Sequence, residues 1–252
     1  MKVVILGGTG LIGSRVRELL RARGVDAVAA SPSTGVDIMT GEGLDPVLRG
    51  ADAVVDVSKP RTYDPTVLEA YFEIGMARML AAERAAGVRH HVALAAVGTA
   101  EATEVPFYRA KAAGEQVVRA GGVPFTLVHA TQFFEFAPAI ADSATIDATV
   151  VLPPTLVQPI AADDVAEAMA DIVLGDAADD TREIAGPEIL PLAGFVARGL
   201  AAAGDGRSVV TADEALYFGG RIGRTTLLPS PAAQIGPTTF ESWMAHRGSS
   251  GG

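Results

Sequence analysis

The chain has no cysteine, which excludes a disulfide framework, a thiolate metal site and a cysteine nucleophile. Positive charge is scarce: twenty Lys and Arg stand against thirty Asp and Glu, for a formal charge of −10. A groove that follows a phosphate backbone needs clustered positive charge, so nucleic acid is not an expected partner. No apolar run reaches the ~18 residues that a membrane-spanning helix requires. The opening MKVVILGGTG enters a strand-like stretch directly and shows no cleavable signal pattern. These absences lead to the expectation of a soluble, cytoplasmic protein with no membrane partner. No spacing of His, Asp and Glu suggests a metal site.

What is present is apolar and patterned. Hydrophobic residues make up 49% of the 252 and charged residues 20%, which excludes a disordered chain. Short β-branched runs at Val3–Leu6, Ala27–Ala30, Ala53–Val57, Val92–Ala96 and Thr126–Val128 read as buried parallel strands. Helical stripes lie between them. Leu11, Ile12, Val16, Leu19 and Leu20 form one, stopped by Gly24; Val67, Leu68, Tyr71, Phe72, Met76, Met79 and Leu80 form another, ending near Gly87. Strand and helix in this alternation build a doubly wound α/β sheet of Rossmann type. After Leu152 prolines break the pattern, and helices are expected over 163–174 and 191–203, with Asp163 and Asp164 as N-cap and first-turn acid. The expected organisation is a dinucleotide-binding core over 1–150, a smaller C-terminal substrate lobe over 151–247 partly woven into the sheet, and a flexible tail over 248–252.

The most informative stretch is Gly7-Gly8-Thr9-Gly10-Leu11-Ile12-Gly13, directly after the first strand and opening the first helix. Its glycines permit a tight turn, a close approach of pyrophosphate to the backbone and close packing of helix on strand. The helix N-terminus adds unpaired N–H groups and a partial positive charge.

With GGTGLIG at 7–13, DAVVDVS at 52–58, GVRHHVALAAVG at 87–98, YRAKAAGEQVVRAGGVPFTLV at 108–128, ATQFFEF at 130–136, QPIAADDVAEAM at 158–169 and GPTTFESWM at 236–244, the chain resembles the short-chain dehydrogenase/reductase superfamily, in its atypical, NmrA-like branch. The stretches span nearly the whole chain in the family's order. The resemblance implies an NAD(P)-binding oxidoreductase. It implies that Gly7, Thr9, Gly10, Leu11, Ile12 and Gly13 line the pyrophosphate turn, with Val57 and Ser58 beside the nicotinamide. Ser31 stands where NAD-specific relatives place an acid. A carboxylate there would repel a 2′-phosphate, so its absence favours NADP while leaving NAD admissible. Asp37 and Ile38 are similar to a pair that brackets adenine in relatives, and Asp37 reads equally as a loop cap.

The family's catalytic pattern is broken. Relatives use a Tyr-x-x-x-Lys pair and a Ser at a strand end; here Lys111 is kept, but Phe107 and Ala95-Ala96 fill the other places. Tyr108 is one residue out of register. At about 100° per residue, Phe107 and Tyr108 lie roughly 40° and 60° from Lys111 on opposite flanks. Tyr108 is a candidate proton donor or a half-buried helix-start aromatic. Lys111 is a candidate ribose ligand or a solvated lysine. His129 could relay a proton near neutral pH, and Glu135, between Phe134 and Phe136, could serve as acid or base if those rings desolvate it. His90 and His91 fall at the opposite strand end as surface or packing residues. Phe133, Phe134, Tyr217, Phe218 and Trp243 read as walls of an apolar pocket or as core.

Three functions follow from this pattern. The first is an NAD(P)H-dependent oxidoreductase acting on a small, apolar organic substrate. The second is a cyclase, isomerase or dehydratase on the same scaffold. The third is a dinucleotide-sensing regulator of a partner protein. A homodimer is left open.

Overall fold

The computed structural model describes residues 1–249. In chain order the elements are β1 (Lys2–Leu6), α1 (Leu11–Ala22), β2 (Asp26–Ala30), α2 (Leu44–Leu48), β3 (Ala53–Asp56), α3 (Pro65–Ala70), α4 (Met76–Ala86), β4 (His90–Ala96), α5 (Pro106–Ala120) and β5 (Phe125–Ala130). There follow α6 (Ala137–Ser143), β6 (Thr145–Ile146), β7 (Thr149–Leu152), β8 (Leu156–Val157), α7 (Ala162–Leu174), β9 (Asp180–Ala185), β10 (Leu190–Pro191), α8 (Leu192–Ala202), β11 (Ser208–Thr211), β12 (Gln234–Ile235) and α9 (Phe240–Ser249).

A seven-stranded parallel sheet runs in the order β12-β9-β5-β4-β3-β1-β2. The order reverses around β1, as in a doubly wound Rossmann-type α/β fold. Val3, Val4, Ile5, Val54 and Val55 have no exposed surface. Strands covered on both faces read as continuous apolar runs rather than alternating ones, which is why all five core strands were legible. Gly24, at φ +78, follows the last turn of α1 and ends it.

Packing divides the chain into two compact units. One comprises Met1–Ala95, Ala110–His129 and Val165–Arg182; the other comprises Ala96–Arg109, Ala130–Asp164 and Glu183–Gly252. No helix of the described residues is long and apolar enough to cross a membrane.

Three sequence expectations change. The stripe from Val67 to Leu80 is not one regular helix: Tyr71–Gly75 forms a π-helical turn between α3 and α4. It leaves Val67 41% exposed and keeps Leu68, Phe72, Met76, Met79 and Leu80 buried. A Cβ on Gly75 would lie 2.9 Å from Met39 Sδ and 3.2 Å from Ile38, so the widened turn coincides with a close approach to these two side chains. Second, α7 begins at Ala162, so Asp163 and Asp164 both lie in its first turn and Asp163 is not the N-cap. Third, α9 runs through Gly248 to Ser249 where a flexible tail was expected; residues 250–252 of that tail lie outside the described residues.

Candidate functional site

The turn after β1 is shaped by contacts that exclude side chains. Gly7 has φ +76, and a Cβ there would lie 2.8 Å from Val57 O and 2.9 Å from Ser58 Cα. One on Gly13 would lie 2.3 Å from Gly7 O, so α1 packs directly on the turn that precedes it. Gly10 differs: its Cβ would meet only Gly7 O, at 3.3 Å. Gly10 is the N-cap of α1 and supplies no side-chain bond, and the first turn contains no acid. The leading N–H groups of the helix are therefore left to an external anion. Thr9, Leu11 and Ile12 complete this loop.

The end of β2 carries hydroxyls. Ser31 is buried; Thr9 Oγ1 donates to its Oγ at 3.2 Å, and Ser33 Oγ lies 2.8 Å away. Thr34 closes a capping box on Ser31. The Asp37 carboxylate accepts the Met39 N–H at 2.7 Å, while Ile38 is buried beneath.

The end of β3 carries a buried acid that the sequence reading passed over. Asp56 is 2% exposed and accepts both the N–H and the Oγ–H of Ser58, at 2.9 and 2.5 Å. The only signal for it was a carboxylate closing an otherwise apolar strand. Lys111, on α5, is 8% exposed; its ammonium lies 4.8 Å from the Phe72 ring centre and forms no hydrogen bond or ion pair among the described residues. Burial pushes its pKa below the ordinary lysine value, against the pull of Asp56 and Glu115. Phe72 comes from the π-helical turn, and Gly114 gives it room: a Cβ on Gly114 would stand 3.1 Å from Phe72 Cβ. His129, the penultimate residue of β5, has its Nε2 3.1 Å from Glu115 Oε1.

His90 and His91 are corrected from surface or packing residues to packing residues alone, at 5% and 0% exposure. His90 Nε2 is 2.9 Å from Thr126 Oγ1. His91 Nδ1 is 3.1 Å from both oxygens of Glu83, itself fully buried. Burial works against charge on His91, but the Glu83 carboxylate outweighs it and raises the imidazole's pKa. Glu83 lies on α4 and His91 on β4, so no single-element period relates them and the sequence gives no sign of the pair.

Tyr108 shares α5 with Lys111 but falls in the other unit, the division passing between Arg109 and Ala110. It is 5% exposed, its ring meets Phe107 and Tyr217 edge-on, and its hydroxyl accepts a bond from Gln132 Nε2 at 3.1 Å. In the sequence Gln132 stood out only as part of the stretch ATQFFEF at 130–136. Phe134 is core, packed on Phe240 and Trp243 at 5.0 and 5.4 Å between ring centres. Phe133 is buried, and Phe218 is 36% exposed. Glu135 is half-buried in a 3₁₀ turn, flanked by buried Phe134 and exposed Phe136. No group of three or more His, Asp or Glu that could hold a metal ion is found among the described residues.

No family model matches the chain. Among curated proteins it is similar to the Photosystem II assembly factor Ycf39 of Trieres chinensis, 25% identical over 150 residues, covering 54% of this chain and 47% of that protein. The match thus spans about half the length of that relative. Among solved structures it is similar to a dTDP-4-dehydrorhamnose reductase from Clostridium acetobutylicum, with a TM-score of 0.75, 14% identity and coverage of 98% of this chain and 99% of that one. It is also similar to a short-chain dehydrogenase/reductase superfamily protein from Agrobacterium tumefaciens with bound NAD, with a TM-score of 0.72, 16% identity and coverage of 99% and 96%. At these identities the likeness is one of fold.

Proposed function

We propose that this chain, which has the fold of the short-chain dehydrogenase/reductase superfamily, binds a nicotinamide dinucleotide and reduces a small organic carbonyl compound. The turn at 7–13 carries this reading. Gly7 and Gly13 have no room for a side chain, and the uncapped start of α1 presents N–H groups and no acid. Those features fit a pyrophosphate. In this reading Gly7, Thr9, Gly10, Leu11, Ile12 and Gly13 hold the pyrophosphate. Ser31 meets the adenosine ribose, Asp37 and Ile38 flank the adenine, and Val57, Ser58 and Lys111 hold the nicotinamide end. A buried ammonium with no ion pair among the described residues suits a ribose hydroxyl as ligand. The cofactor supplies hydride; the chain supplies orientation and a proton, with Tyr108 and His129 as the candidate donors.

Ser31 in place of an acid supports NADP over NAD, because nothing at that strand end repels a 2′-phosphate. The solved neighbours act on or bind related molecules: one is named a dTDP-4-dehydrorhamnose reductase and another holds NAD. A second reading, a dehydratase or isomerase on the same scaffold, is favoured by Ala95 and Phe107, which put no hydroxyl where relatives place their Ser and Tyr.

Competitive titration of NADPH and NADH, followed by thermal shift, tests the binding step. NADPH is expected to bind at least as well as NADH and to stabilise by about 2.7 kcal/mol at a hundredfold excess over Kd. Gly10→Asp should abolish the shift while leaving the apo protein close to its native stability, since a Cβ there would meet a single protein atom, Gly7 O at 3.3 Å, which needs to give by only a few tenths of an ångström. Retained binding in that variant overturns the assignment. Loss of nicotinamide absorbance with an activated ketone then separates the reductase from the non-redox reading.

A further inference from the structure

We propose that Glu115 is a positioning residue for Lys111: drawn aside by His129, it keeps the buried ammonium charged across a water-filled cavity without pairing with it. The inference deepens the cofactor reading and rests on it. Every residue involved belongs to the first unit. A small cavity there is lined by Met76 of α4, Ala93 and Ala95 of β4, and Lys111, Gly114 and Glu115 of α5. Small side chains make the space. Ala93 and Ala95 share one face of β4, and a Cβ on Gly114 would crowd Phe72, 3.1 Å away.

Positions four apart on a helix are neighbours, with Cβ atoms about 5–6 Å apart, and Lys and Glu placed so commonly pair. On α5 these two do not. Lys111 makes no hydrogen bond or ion pair among the described residues, and its ammonium lies 4.8 Å from the Phe72 ring centre. Glu115 instead sets Oε1 3.1 Å from His129 Nε2, an ion-pair distance without the alignment of a hydrogen bond. The carboxylate is thus committed to β5 and the ammonium to the π-helical turn, with the cavity beside both.

An ammonium carries three N–H donors, and the face of one ring meets it from one side only. A buried polar group left without partners is costly. Cavities that stay dry are apolar, whereas this one has a lysine and a glutamate in its wall and room for about one water. That water accepts a bond from Lys111 and donates one to Glu115. The carboxylate then stabilises the ammonium through the water, whereas a direct pair would hold the ammonium away from a ribose hydroxyl.

Other charges face Lys111 from the strands. Asp56, at the end of β3, is the ladder partner of Ala93 and so shares the face of the sheet on which the cavity lies. His91, two residues before Ala93 on that face of β4, senses the Lys111 charge and is held by Glu83. Burial lowers the pKa of Lys111, and Asp56 and then Glu115 oppose it. Asp56 is engaged by the N–H and Oγ–H of Ser58. Of the two carboxylates, only Glu115 lines the cavity.

The test uses the full chain with its three lysines, Lys2, Lys59 and Lys111, labelled with ¹⁵N. The Lys111 signal is assigned by its loss in Lys111→Met, and its midpoint is read by NMR titration without cofactor. Glu115→Gln should lower that midpoint by about one unit, the scale of losing a nearby opposite charge. His129→Leu frees the carboxylate to reach the ammonium and should raise it by about one unit. A general loosening of the core would not move the two variants in opposite directions. An unchanged or raised midpoint in the first variant, or an unchanged or lowered one in the second, overturns the proposal. Should either variant fail to fold, a high-resolution crystal structure of the wild-type chain decides. A water between Lys111 Nζ and the Glu115 carboxylate supports the proposal; a direct pair or a dry cavity overturns it. NADPH affinity over the same pH range reads the consequence. Its fall with rising pH should begin about one unit lower in Glu115→Gln than in wild type, and an unshifted profile overturns the positioning role. A chain that binds no NADPH defeats the cofactor reading instead, and the lysine midpoints still judge Glu115.

Discussion

The two compact units bury polar groups in different forms. The first encloses ionisable side chains: Glu83 with His91, both without exposed surface, and Asp56 and Lys111 at 2% and 8%. The second encloses a neutral cluster, Tyr108, Gln132 and Tyr217. Removing one partner from a buried ion pair strands a charge, whereas a neutral cluster loses only a hydrogen bond. The first unit should therefore answer strongly to substitution and to pH, and the second weakly to both.

Glu83→Leu should have the largest effect. It leaves His91 buried beside an apolar side chain, at a cost of about 3–5 kcal/mol. The raised pKa of His91 sets the pH dependence. A base whose folded pKa exceeds its unfolded value of about 6.5 contributes fully below that value and loses the contribution as pH rises through the folded one. The gap between wild type and variant should be widest near pH 6 and narrow toward pH 9 in urea unfolding. A gap that does not change would show that the imidazole is neutral throughout, and the contrast between units would lose its main support.

Lys111→Met sharpens the same contrast from the other side. Its ammonium is buried with no ion pair among the described residues, and burial lowers its pKa. A lowered base favours folding only once deprotonated, so native stability should rise as pH climbs through the folded value toward the ordinary lysine range. The variant lacks that rise and should be as stable as wild type, or more stable, at pH 7. Its NADPH affinity should fall by about 1–3 kcal/mol, read by titration calorimetry. A destabilised apo protein with unchanged affinity would make Lys111 a structural residue and remove it from the cofactor site.

Local chemistry was legible in the sequence, and assembly was not. Apolar runs marked β1 to β5 because buried parallel strands need no alternation, and the glycines of 7–13 announced a turn whose steric demands Gly7 and Gly13 bear out. The helices at 162–174 and 192–202 followed from their spacing. The π-helical turn escaped because the neighbours it meets, Ile38 and Met39 against Gly75, lie more than thirty positions earlier. Tyr217 read as an aromatic wall, since nothing in its neighbours shows that its hydroxyl meets residue 108. Gln132 escaped for the same reason. An amide near a strand end has no periodicity, and its role comes only from the helix that brings Tyr108 to it.

The smallest effect is expected from Tyr217→Phe. The change removes one hydroxyl and keeps the ring, so the edge-on contacts with Tyr108 and Phe218, at 6.3 and 4.9 Å between centres, survive. Tyr108 keeps the Gln132 N–H as a donor, so no charge is stranded. The loss should be that of a single neutral hydrogen bond, about 0.5–1.5 kcal/mol. It should also be flat between pH 6 and pH 9. Burial raises the pKa of both phenols above the ordinary tyrosine value, so neither titrates in that window. Urea unfolding of wild type and variant at the two pH values measures both features at once. A loss above about 3 kcal/mol, the scale of a broken ion pair, or one that changes with pH, would mean that the cluster carries charge in the folded protein, and the second unit would then have to be grouped with the first.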